Sequence, residues 1–74
     1  MPKLYTARII IAALEKAGFS IVSQKGSHIK LINKEKSKIY TVIVPFHKDV
    51  AAGTFSSILR QAGMTKEEFK KFLK

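Results

Sequence analysis

Two side chains in this sequence can exchange a proton near neutral pH, His28 and His47, and there is no cysteine thiol to join them. His28 stands in the run Lys25-Gly26-Ser27-His28-Ile29-Lys30, with a lysine on either side. An ammonium group close by disfavours an imidazolium, so a ring in this setting is expected to act as a neutral general base. The same cations suit a phosphate and oppose the charge that builds on a transferring phosphoryl group. Ser27, through its backbone or hydroxyl, is expected to help hold that phosphate. A solvated hairpin histidine with no role is the plain alternative. His47 follows Pro45 and Phe46 and precedes Lys48. It could bind a phosphate, donate a proton to a leaving oxygen, or sit in solvent.

Other chemistries lack their parts. A single aspartate, Asp49, and no serine elbow leave no Ser-His-Asp hydrolase to assemble. No His/Asp/Glu cluster has metal-ligand spacing, and no glycine-rich loop leads into a helix to cradle a nucleotide. No metal or other cofactor is therefore expected. The absence of cysteine also excludes a disulfide-stapled miniprotein and a zinc finger.

The charge balance names a class of partner. Fourteen Lys and Arg against five Asp and Glu give a net charge of +9 over 74 residues, the footprint of a polyanion binder. Lys25, Lys30, Lys34, Lys36 and Lys38 crowd one stretch whose only acid is Glu35. Lys66, Lys70, Lys71 and Lys74 form a second group, partly offset by Glu67 and Glu68. Solubility alone is the bland use of such charge. RNA is the favoured partner, and Tyr5 and Tyr40 could stack on its bases, although packing is the commoner use of both. A membrane partner is not expected, because no helix joins a basic face to exposed Trp, Phe or Leu. The longest apolar run, Ile9 to Leu14, is far short of the ~18 residues a span needs, and no secretory signal is expected. A soluble cytoplasmic protein is expected, with residues 1–74 as one domain.

Hydrophobic periodicity supplies the elements that must position these groups. Thr6 is a candidate N-cap for a helix with Ala7, Ile10, Ile11, Leu14 and Ala17 on one stripe, and Gly18 suits its left-handed end. Phe19 to Gln24 changes to a period of two, with Phe19 and Ile21 alternating with Ser20. Lys25-Gly26 reads as a hairpin turn. The next strand sets Ile29 and Leu31 on one face and His28 and Lys30 on the other. After a looser polar turn from Asn33 to Lys38, the β-branched run Ile39 to Val44 predicts a third strand, stopped by Pro45. A loop from Phe46 to Gly53 then leads to a helix capped by Thr54, with Phe55, Ile58, Leu59 and Ala62 inward and Gly63 at its end. Thr65 and Glu68 form a capping box for a short last helix carrying Phe69, Phe72 and Leu73. The fold class is α+β, ordered α-β-β-β-α with a short extra helix, three antiparallel strands having helices on one face and water on the other.

Several segments together resemble a known family. They are Ala13-Leu14-Glu15-Lys16-Ala17-Gly18-Phe19, then Gln24-Lys25-Gly26-Ser27-His28 and Lys30-Leu31. Val44-Pro45 with His47 follows, then Gly53-Thr54, Ser57-Ile58-Leu59, Gln61-Ala62-Gly63 and Phe69. In this order, over nearly the whole chain, they are similar to the HicA (YcfA-like) toxins of type II toxin–antitoxin systems. Two places depart from the family pattern: the lysine-rich turn Asn33 to Lys38, and Thr6-Ala7-Arg8, which lacks the usual glycine and charged pair. The resemblance implies a double-stranded-RNA-binding-like fold, an mRNA interferase activity and a HicB-type antitoxin partner. It places the family's catalytic histidine on His28 and its Val-Pro-x-His segment on His47. Joined to the residues themselves, it points to a metal-independent endoribonuclease with His28 as base and Lys25, Ser27, Lys30, His47 and Lys48 as RNA contacts. A non-catalytic RNA-binding module of the same fold is the alternative, and a protein made only to bind an acidic partner is a third.

Overall fold

The computed structural model describes residues 4–34 and 38–73. Thr6 opens the first helix as its composition suggests: its Oγ1 accepts the Ile9 amide at 3.2 Å. Helix α1 (Ala7–Lys16) buries Ala7, Ile10, Ile11, Ala13 and Leu14 along one stripe. Gly18 then takes a φ of 108°, where a side chain would strain the backbone, and turns the chain into the sheet. Strands β1 (Ser20–Lys25), β2 (His28–Asn33) and β3 (Tyr40–Pro45) pair antiparallel in the order β1-β2-β3. Helices α2 (Ala52–Ala62) and α3 (Lys66–Lys71) complete an α+β fold of the expected order.

Alternation in the sheet divides its residues between two environments. Ile29 and Leu31 of β2 and Val42 and Val44 of β3 are buried, whereas His28, Lys30, Thr41 and Ile43 are exposed. The buried side chains meet Ile10 and Leu14 of α1, Ile58 and Leu59 of α2 and Phe69 of α3 in one core. Among the described residues Asn33 is the one buried polar side chain, and its Nδ2 donates to the Ala17 carbonyl at 3.4 Å, tying the end of β2 to the end of α1. Phe69 meets the rings of Tyr5 and Phe55 edge to face, those two rings lie tilted to one another, and the trio, with centroids 4.9–5.4 Å apart, fastens α2 and α3 to Tyr5. Tyr40 lies against Gly63, so both tyrosines are packed against the core. The capping box forms, Thr65 N–H donating to Glu68 Oε1 at 2.8 Å and Glu68 N–H to Thr65 Oγ1 at 3.1 Å.

Local expectations shift in four places. β1 starts one residue later than expected and is exposed along its whole length, Ile21 included. It is an edge strand, and its register with β2 breaks between Ile21 and Ser23, leaving Val22 as an extra residue. Lys25 belongs to the strand, paired with His28, and the turn consists of Gly26 and Ser27. β3 keeps Pro45 as its last residue, because an edge strand does not need every amide proton. Thr54 does not cap α2. Val50 is pinned by donating its N–H to the Tyr5 carbonyl at 2.9 Å, so the helix opens directly after it with Ala51 as N-cap. Residues 35–37, in the middle of the lysine-rich turn, and Lys74 lie outside the described residues.

Candidate nucleic-acid interface

The hairpin that carries the Lys-Gly-Ser-His run is held at three points. Gly26 has a φ of 58°, which a two-residue hairpin turn favours. The Gln24 side-chain amide donates to the Gly26 carbonyl at 3.4 Å, and the Phe46 amide donates to the Ser27 carbonyl at 2.6 Å. The last contact binds the turn to the chain leaving β3. His28 is paired on one side with Lys25 and on the other with Pro45.

Cross-strand partners project to the same face, so the register sorts the charges. Lys25 opposite His28, and Ser23 opposite Lys30, lie on the face the helices leave open, and Ile43 opposite Lys30 joins them. Ser23, Lys25, His28, Lys30 and Ile43 line one shallow groove of about 560 Å³ that includes no carboxylate. The structure thus brings together three of the residues singled out from sequence, Lys25, His28 and Lys30, and sets Ser27 in the turn beside them. A groove lined by one imidazole and two ammonium groups can seat a phosphodiester and offer a base to a nearby hydroxyl.

His47 and Lys48 are placed elsewhere. They line a second concavity of about 270 Å³ with Thr6, Ala7, Arg8 and Phe46, at the start of α1. His47 and His28 therefore serve different cavities, although Pro45, the cross-strand partner of His28, is only two residues away from His47. Sequence reasoning missed Ser23, which reaches the groove only through the bulge, and Arg8, which stands in a segment noted only for departing from the family pattern. Arg8 shares a concavity with Lys48 because the Tyr5–Val50 bridge and the Ala7 amide, donating to the His47 carbonyl at 3.1 Å, clamp the two segments together.

Among the described residues, no three His, Asp or Glu side chains gather as a metal ion requires, and no helix is long and apolar enough to cross a membrane. A family model described as the HicA toxin of bacterial toxin-antitoxin matches residues 7–64, more than half of the chain. The match takes in the hairpin, every residue that lines the groove and all but Thr6 of the second concavity. No curated protein matches the chain.

Proposed function

The chain belongs to the HicA toxin family of bacterial toxin–antitoxin systems, and from that premise we propose that it is an endoribonuclease that cuts mRNA and so stops translation. The observation that carries this reading is the single open groove shared by Lys25, His28 and Lys30. His28 takes the proton from a ribose 2′-hydroxyl, and the resulting oxyanion attacks the adjacent phosphorus. The bond to the 5′-oxygen breaks, and that oxygen leaves as an alcohol after taking up a proton. Lys25 and Lys30 balance the charge on the phosphorane oxygens, Ser27 helps hold the phosphate at the turn, and His47 and Lys48 contact RNA beyond the groove. Because the nucleophile is the substrate's own hydroxyl, the reaction requires neither metal nor cofactor. General-base catalysis of this kind contributes about 10²–10⁴-fold, with electrostatic stabilisation acting on the same transition state. The toxin acts in the cytoplasm, where mRNA is, as one domain of residues 1–74, and a HicB-type antitoxin binds and masks it.

The test is an RNA with a single deoxyribose at the cleaved position. It should survive while the all-ribose strand is cut, and cutting of the deoxy substrate would overturn the mechanism. Binding of RNA with no product from freshly purified, antitoxin-free protein would instead make the same surface a non-catalytic binding module.

A further inference from the structure

The second concavity has features that neither the general base nor the groove around it uses. Arg8 and Lys48 contribute two positive charges to it, His47 lines it with them, and no carboxylate is among its lining residues. Phe46 also lines it. This ring is 42% exposed, in a protein whose other phenylalanines are buried or packed against the core. Two of the backbone amides at the start of α1 are already engaged: Ala7 N–H donates to the His47 carbonyl and Ile9 N–H to Thr6 Oγ1. The attraction for an anion there rests on the side chains, with Arg8 offering the planar fork that matches a phosphate. An exposed aromatic face beside a phosphate-binding fork is the arrangement on which single-stranded nucleic acids stack a base and anchor its backbone.

The position of this concavity relates it to the groove. Phe46 directly follows Pro45, which pairs with His28, and the Phe46 amide is bonded to the Ser27 carbonyl in the turn before His28. Phe46 therefore joins the end of the hairpin that carries His28 to the concavity lined by Arg8 and Lys48. We propose that Phe46, Arg8 and Lys48, with His47, form a nucleotide subsite for single-stranded RNA flanking the cut. One base stacks on Phe46 and its phosphate sits between Arg8 and Lys48. The inference rests on the endoribonuclease reading, and it adds a binding register: length on one side of the scissile bond should matter more than on the other.

A series of RNA oligonucleotides of one sequence, extended a nucleotide at a time on either side of the cut, tests this with the whole protein. Wild type should gain affinity and a lower KM when the strand grows on one side only. Phe46→Ala should lose that gain by about fivefold to a hundredfold, the range of one base–aromatic stack. Phe46→Tyr should restore it, and Phe46→Leu should not, which separates a stacking ring from an apolar plug. Arg8→Ala should lower the slope of log K against log salt by about 0.7, the value for one phosphate contact on a single strand. With the shortest cleavable RNA, all four variants should keep the wild-type kcat. If Phe46→Ala and Arg8→Ala match wild type at every length while Lys30→Ala weakens binding, the subsite is refuted and the nuclease reading stands. If wild type neither binds nor cuts any RNA in the series, the nuclease reading fails and takes the subsite with it.

Discussion

Lys25 and His28 face one another as the last cross-strand pair before the Gly26–Ser27 turn. Their shared face depends on a residue outside the hairpin motif. Ile21 pairs with Leu31, which is buried under the helices, and strict alternation from Ile21 would also carry Lys25 to the helix side. The extra residue Val22 reverses the parity, so that Ser23 and Lys25 emerge on the open face with Lys30 and His28. The bulge thus reconciles a register set upstream by Phe19, buried at the end of α1, with one set downstream by the turn.

Charge and base in this groove are separable. His28→Ala should lower the cleavage rate by about 10²–10⁴-fold and leave RNA binding and its salt dependence intact. Lys25→Ala should do the reverse in binding, reducing the slope of log K against log salt by about 0.7. Filter binding at several salt concentrations, beside single-turnover cleavage, reads both. An active His28→Ala protein would remove the imidazole from the chemistry.

Two glycines should respond oppositely to the same substitution. A Cβ at Gly63, where φ is 69°, would lie 2.6 Å from a ring carbon of Tyr40. Gly63→Ala should cost at least the ~1–2 kcal/mol of a left-handed alanine, and more if the tyrosine cannot withdraw. Gly53 lies in α2 with nothing within 4 Å of its notional Cβ, so Gly53→Ala should stabilise by up to about 1 kcal/mol. For a domain this small, each kcal/mol moves Tm by roughly 4–8 °C, which thermal melts resolve easily. Equal shifts in the two variants would contradict the packing of Tyr40 on Gly63.

Asn33 joins α1 to the sheet through a part-buried hydrogen bond from its buried side chain to the Ala17 carbonyl. Asn33→Ala leaves that carbonyl without its amide partner and should cost about 1–3 kcal/mol. The expected sign in urea is a lower midpoint with an unchanged m value, since the surface exposed on unfolding is nearly the same. Cleavage measured well below the melting range should be unaffected, because Asn33 is buried and the groove lies on the exposed face. A midpoint equal to wild type would show that the bond contributes nothing net.

The sequence by itself determined the α+β class, the caps at Thr6 and Thr65, the turn glycines and the alternation that exposes His28 and Lys30. These are local consequences of side-chain type and of periods of two and 3.6, which act over a few neighbours. The resemblance to the HicA toxins was also legible, since the Lys-Gly-Ser-His run and the segments around it stand in order along the chain. Only the tertiary structure decided which charges share a surface. Parity across an edge strand turns on one bulged residue, Val22, and no local propensity announces it. Arg8 comes to share a concavity with Lys48 through a bridge between Tyr5 and Val50, groups far apart in sequence, and pairing over that distance depends on how the finished core seats the two segments.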